Sequence, residues 1–149
     1  MTIASPIARP IARPITSPLD GSGGGGAPLI NLIVNGGFDV DANWTKGVGF
    51  AITGGQCVRT VTSGGSLISQ VFAMTPGKTY LIRMDVIALS APLTTRFMTG
   101  TTVFGGNITT TGPFETTIVA GAGNTTFAIG AGAAGITCTF DNVRVYQID

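Results

Sequence analysis

Few side chains in this sequence could perform acid–base or nucleophilic chemistry. The 149 residues include no histidine, the usual general base for a serine or cysteine nucleophile and the usual ligand of a transition metal. A glycosidase would need two carboxylates in one cleft, and the only candidates away from predicted turns near the chain ends are Asp85 and Glu115. Asp85 falls on the outward side of an alternating strand, next to Arg83. We therefore predict that the protein is not an enzyme.

The acidic stretch Asp39-x-Asp41-x-Asn43 begins like a calcium-binding loop. An EF-hand loop requires glycine at its sixth position and glutamate at its twelfth, where this chain has Trp44 and Phe50. The stretch is therefore not an EF-hand, and its Asp and Asn side chains are typical of turns.

Two cysteines, Cys57 and Cys138, lie far apart in the sequence. Free cysteines often behave as small buried hydrophobic side chains, and so we interpret the pair as two buried thiols. A disulfide between them is the alternative.

The overall composition argues against nucleic acid and membranes as partners. The net charge is +1 and charged residues make up only 10% of the chain, with no basic run of the kind that binds a phosphate backbone. Mean hydropathy is positive, yet no apolar stretch approaches the roughly 20 residues of a membrane-spanning helix. We expect another protein to cover the excess apolar surface.

The elements that must position any functional side chain are β-strands. From residue 29 to residue 149, short runs of alternating apolar residues recur between clusters of Gly, Thr, Pro and Asn, beginning with LINLIV at 29–34. No stretch indicates a helix, and about eight or nine strands in about 120 residues favour a sandwich over a small barrel. We predict an all-β fold, an antiparallel jelly-roll β-sandwich, over residues 29–149.

The first 28 residues differ in composition from the rest of the chain. Prolines recur every four residues from Pro6 to Pro18, and each would break a helix, so the segment is predicted to be extended. The glycines of 21–26 are typical of a flexible linker. We predict that 1–28 is an arm that docks on a partner protein, with a disordered tail as the alternative. The predicted docking residues are Ile3, Ile7, Arg9, Ile11, Arg13, Ile15 and Leu19.

Three blocks of the sandwich region resemble the carbohydrate-binding-module-like jelly rolls. They are NLIVNGGFDVDANWT at 31–45, QVFAMTPGKTYLIRMDVIA at 70–88 and TFDNVRVY at 139–146. In that family an opening NGGFE…W, a central PGKTY hairpin and a closing DDV strand occur in this order. The resemblance implies two antiparallel sheets with the first and last strands close together. It does not by itself imply sugar binding, because the fold serves many functions.

The resemblance also implies how a glycan would be held. Modules of this class stack aromatic rings on the apolar face of a sugar, but here the one Trp and both Tyr fall in the structural blocks. We expect Phe38, Trp44 and Phe140 to belong to the core. The residues left for a sugar platform are Phe104, Phe50 and Phe97.

A structural calcium ion is a further feature implied by the resemblance. Family members often hold one between the opening acidic residue and the closing aspartates, and the matching positions here are Asp39 and Asp141. The second closing aspartate of the family is replaced by Asn142, a neutral ligand. Simple turn formation by these residues is the alternative, and we expect no other cofactor.

Together, the arm and the sandwich predict a virion structural protein. More specifically, we predict a capsid decoration or cement protein whose arm stabilises the shell by docking on neighbouring subunits. The expected partners are the major capsid protein or other virion subunits, and further copies of the chain in a homo-oligomer such as a trimer. The expected location is the virion, assembled in the host cytoplasm. The alternatives are a glycan-binding tail or fibre module of the host-recognition apparatus and a tail or neck structural component.

Overall fold

The computed structural model of the protein describes residues 28–60 and 63–149. Residues 1–27 of the predicted arm, with the docking residues from Ile3 to Leu19, lie outside the described residues. The described residues form ten β-strands and no helix, so none of them belongs to a helix that could cross a membrane. The strands are β1 (Thr45–Lys46), β2 (Phe50–Thr53), β3 (Gln56–Arg59), β4 (Ser66–Val71), β5 (Thr79–Leu89), β6 (Leu93–Met98), β7 (Val103–Ile108), β8 (Gly112–Val119), β9 (Thr126–Ala131) and β10 (Cys138–Gln147).

The strands form two five-stranded antiparallel sheets. One sheet has the order β1-β4-β9-β6-β7 and the other the order β2-β3-β10-β5-β8. Strands adjacent in the sequence lie in different sheets at several points, so the chain crosses repeatedly between the two layers. The predicted all-β jelly-roll sandwich is confirmed.

The segment LINLIV at 29–34 is not a strand, contrary to the prediction. It forms a single bridge between Asn31 and Tyr146, and the Leu32 amide donates to the Val145 carbonyl (2.8 Å). The side-chain oxygen of Asn31 accepts hydrogen bonds from the amides of Ile33 and Val145 (3.2 and 3.0 Å), so it takes the place of a backbone carbonyl. The beginning of the domain still lies against its last strand, as the resemblance implied.

The core lies between the two sheets and follows the alternation of side chains along the strands. On β5, the predicted inward residues Tyr80, Ile82 and Met84 are buried while Arg83 between them is exposed. The predicted core aromatics are also buried: the Phe38 ring lies 5.3 Å from Trp44 and 5.8 Å from Phe140, between ring centroids. Edge-to-face and tilted contacts of this kind add to the stabilisation from burial.

The opening loop between the bridge at Asn31 and β1 is organised by one side chain and one glycine. The side-chain amide of Asn35 donates to the carbonyls of Val40 and Ala42 (2.6 and 3.0 Å), and the Trp44 indole donates to the Asn35 carbonyl (3.0 Å). These bonds close the loop over the aromatic cluster.

Gly36 lies in this loop directly against β10. Its carbonyl accepts a hydrogen bond from the Val143 amide (2.9 Å), and a Cβ added to Gly36 would lie only 2.0 Å from the Val143 carbonyl oxygen. Since both groups are backbone, no side-chain movement could relieve that clash. Glycine is therefore required for the loop to pack on β10.

We expect Gly36→Ala to lower the free energy of unfolding by about 1–3 kcal/mol, because the methyl group would push two backbones apart. Gly132→Ala is the matched control, since no atom lies within 4 Å of the Cβ added there. Urea unfolding of the two variants measures the difference. Equal stability would show that the Gly36 contact is not as close as described.

Both cysteines are free and buried in the core, as predicted. They lie on the paired strands β3 and β10. Burial raises the pKa of the Cys138 thiol to about 11. Burial, together with the neighbouring Cys138, also raises the pKa of Cys57. Both thiols are therefore protonated and poor nucleophiles near neutral pH.

We expect neither thiol of the native protein to react promptly with Ellman's reagent at about pH 8, because both are buried and little thiolate is present. Both should react once the chain is unfolded in guanidinium. The absorbance of the released thiolate counts the reactive groups in each state. Rapid modification of a native thiol would contradict the described burial.

Candidate binding face

The outer side of the β1-β4-β9-β6-β7 sheet carries an exposed aromatic ring, Phe104, and a half-buried arginine, Arg96. Thr95 and Phe97 on β6 are fully buried between the sheets, so Arg96 between them points outward. The same alternation turns Ala128 outward on β9, between the core residues Phe127 and Ile129. We call this outer side the β6–β9 face.

Strand register places the outward residues in rows across the sheet, and two of these rows run through all four of β7, β6, β9 and β4. β7 pairs with β6, β6 with β9, and β9 with β4. The first row consists of Phe104, Arg96, Ala128 and Ser69, in that order. The second row consists of Asn107, Thr94, Gly130 and Leu67. The middle of the face therefore has two of the smallest side chains, with larger groups on both sides.

Arg96 lies flat across this face. Its guanidinium carbon is 5.1 Å from the centroid of the Phe104 ring, and its Nη2 donates to the Thr94 hydroxyl (2.7 Å). A Cβ added to Gly130 would lie 3.0 Å from Nη2 and 2.2 Å from a methyl carbon of Leu67. Glycine at position 130 therefore leaves the room that the guanidinium occupies.

Phe104 is the one exposed ring among the three phenylalanines that the sequence left as candidates for a sugar platform. Its side chain is 63% exposed, whereas Phe50 is 7% and Phe97 0% exposed. Phe97 packs edge-on against Tyr80 and Phe127, with centroids 5.4 and 6.2 Å away. The expectation for Phe50 and Phe97 is therefore wrong, because the sandwich core buries both rings. Period-two alternation could have assigned Phe97 to the core.

Sequence reasoning also missed Arg96. Alternation along TTRFM would have turned it outward, but nothing in the sequence shows that Phe104 and Thr94 meet it there. A register shift between Thr94 and Arg96 in the β6–β7 pair sets that contact.

The two carboxylates considered for catalysis lie on the other sheet. Asp85 and Glu115 line a cavity of about 200 Å³ on its outer side, together with Arg83, Asn142 and Arg144. Glu115 forms an ion pair with Arg83, between Oε2 and Nε at 2.6 Å, and Asp85 accepts a hydrogen bond from the Asn142 side chain (2.9 Å). Each carboxylate thus has a fixed partner, and Asp85 is exposed beside Arg83 as expected.

The predicted calcium ligands Asp39 and Asp141 lie in the opening loop and on β10. Asp141 Oδ1 accepts a hydrogen bond from the amide of the next residue, Asn142 (2.6 Å). Side-chain oxygens of Asp39 and Asn142 flank Gly37, at 3.6 and 4.0 Å from a Cβ placed there. Within 28–60 and 63–149, no three His, Cys, Asp or Glu side chains come together in a group that could hold a metal ion. The calcium site stays a prediction.

Comparison with solved structures finds this architecture in carbohydrate-binding modules. A family 4 module (CBM4) is 18% identical, with a TM-score of 0.54 over 78% of this chain and 99% of that chain. A mutant of a family 29 module is 9% identical, with a TM-score of 0.52 over 80% and 91% of the two chains. Another family 29 mutant is 9% identical, with a TM-score of 0.54 over 81% and 92%. No protein-family model and no curated protein sequence matches the chain.

The chain has the β-sandwich fold of carbohydrate-binding modules. At these identities the likeness is one of fold, and it agrees with the resemblance of the three sequence blocks. The similar structures are named for carbohydrate binding rather than for a reaction. That agrees with the small number of side chains available for catalysis without testing the prediction that the protein is not an enzyme.

Proposed function

We propose that the protein is a non-catalytic carbohydrate-binding module that binds glycan on the β6–β9 face. The observation that carries this proposal is the exposed Phe104 ring beside Arg96, at one end of a row with small side chains in its middle. An exposed aromatic ring on a rigid strand offers an apolar platform at little cost in conformational entropy. The likeness to carbohydrate-binding modules supports the proposal at the level of fold.

The chemistry of the two rows suits a sugar chain lying across the strands. One side of the Phe104 ring packs against Arg96, and the rest is open to stack on the C–H groups of a pyranose ring. The side chains of Ser69, Thr94 and Asn107 offer donors and acceptors for sugar hydroxyls. The row from Phe104 on β7 to Ser69 on β4 spans three strand spacings, or about 14 Å. This distance corresponds to the length of a short oligosaccharide.

We expect Phe104→Ala to weaken binding of the recognised glycan by at least about tenfold, since it removes the stacking platform. Ile87→Ala is the matched control, because Ile87 is also an exposed hydrophobic residue but lies on β5 of the other sheet. A glycan array identifies the ligand, and isothermal titration calorimetry measures the affinity of each variant. Equal affinities of the two variants would rule out the β6–β9 face.

Decoration of a virion is the second candidate function, and it rests on other residues. Pro28, the last residue of the predicted arm and the first described residue, lines an apolar cavity of about 580 Å³ with Leu29, Ile30 and Ile148. Leu29 and Ile30 are 50% and 74% exposed. An exposed apolar cluster at the start of the sandwich is typical of a surface that another protein covers. The proposed partners are the major capsid protein or other virion subunits.

Binding to particles that lack this protein tests the second candidate. The full-length chain should bind them, whereas deletion of residues 1–28, or Asp at Ile7, Ile11 and Ile15 together, should abolish binding while the sandwich stays folded. Co-sedimentation measures binding and circular dichroism the fold. Undiminished binding of the triple variant would rule out docking through the arm. Glycan binding that survives the deletion would favour the tail or fibre module.

A further inference from the structure

We infer that the β6–β9 face prefers glycans that carry a carboxylate, such as chains of uronic acids, and that Arg96 recognises that carboxylate. The inference rests on the proposed glycan-binding function and specifies its ligand class. It follows from the charges around Arg96, from the hydrogen bonds its guanidinium makes, and from the way its neighbours hold it in place.

The first argument is that no described acidic residue lies on the same face as Arg96. Among the described residues, the two ion pairs join Lys46 to Asp41 and Arg83 to Glu115. The remaining described acidic residues lie elsewhere: Asp85 and Asp141 belong to the opposite sheet, Asp39 lies beside Gly37 in the opening loop, and Asp149 accepts a hydrogen bond from Thr79 on β5. A partly buried guanidinium without a carboxylate leaves an uncompensated positive charge at the centre of the face. An anionic ligand would neutralise that charge.

The second argument is that the guanidinium has donors to spare. In the described part of the chain, Nη2 donates to Thr94 and no partner is found for Nη1. Nε also lacks a partner, but it is buried and out of a ligand's reach, so the donors open to a ligand are those of Nη1 and the second N–H of Nη2. Arginine offers a planar fork of N–H donors that matches the two oxygens of a carboxylate, and such charge-assisted bonds are roughly twice as strong as neutral ones. A sugar hydroxyl matches this fork less well than a carboxylate does.

The third argument is that the fork is held in place before any ligand arrives. Phe104 packs against one side of the guanidinium, Thr94 accepts from Nη2, and Gly130 leaves the space beneath it. A side chain with fewer rotamers to lose binds its ligand at a smaller entropic cost. The Phe104 ring, which stacks on the sugar, thus also positions the Arg96 guanidinium that binds the sugar's carboxylate.

The test compares a uronic acid oligomer with the methyl ester of the same oligomer. Esterification removes the negative charge but keeps the pyranose rings, so stacking on Phe104 is matched between the two ligands. We expect the wild-type protein to bind the acid at least about tenfold more tightly at low salt, with the difference shrinking as salt is added. Calorimetry on the full chain measures both affinities.

Variants at position 96 separate charge from geometry. We expect Arg96→Gln to lose about tenfold or more in affinity for the acid and to bind the ester nearly as wild type does. The affinity of Arg96→Lys for the acid should lie between those of the wild type and Arg96→Gln, since lysine keeps the charge but not the planar fork. Arg144→Gln is the control, because Arg144 is an exposed arginine on β10 of the other sheet. Thermal unfolding checks that each variant is folded.

The outcomes separate this inference from the proposed function. Equal binding of acid and ester by the wild-type protein, still lost in Phe104→Ala, would overturn carboxylate recognition and keep the glycan-binding proposal. This comparison does not depend on the folding of any Arg96 variant. Arg96-dependent binding of a sialylated oligosaccharide in place of the uronic acid would support carboxylate recognition and would identify sialic acid as the sugar that carries the carboxylate. Binding of no glycan at all would overturn both proposals.

Discussion

The face-to-face packing of two sheets decides which side of every strand meets solvent, and the candidate site depends on that constraint. On β6, Thr95 and Phe97 are buried, and so the side chain of Arg96 between them must point to the outer face. A slip of one residue would place the guanidinium in the core and the Phe97 ring in water, at a cost of several kcal/mol. The side chains that the β6–β9 face presents are thus fixed by the core behind it.

Buried polar side chains perform the corresponding task for the segments that are not strands. The Gln70 side chain, buried on β4, exchanges two hydrogen bonds with the backbone of Val34 (2.8 and 2.9 Å) and donates a third to the Asn43 carbonyl (3.1 Å). It ties the opening loop to the sheet that carries the β6–β9 face. The Asn124 amide likewise donates to Thr99 and Thr101 (both 2.7 Å) and holds the β6–β7 connection. These satisfied groups let irregular backbone pack closely without strands.

The two proposed functions use separate surfaces. The glycan proposal rests on the outer side of one sheet, whereas the apolar cavity at Pro28 is formed by the first described residues and by Ile148. A module that fastens to a particle through its arm would keep the β6–β9 face free for a sugar. Glycan binding and docking on a virion are therefore compatible in one subunit, and each can be lost without the other.

The sequence by itself determined the fold class and most of the core. Period-two alternation along β5 assigned Tyr80 and Ile82 to the interior, because burial on one side imposes that pattern on the residues themselves. Only the tertiary structure showed that Arg96 and Phe104 are in contact, and that the Phe104 ring is exposed whereas the Phe97 ring is buried. Contacts between strands depend on register, and register is set by pairing and bulges across many residues of the chain. No local pattern in the sequence records that pairing, and so the fold could be predicted while the arrangement of the β6–β9 face could not.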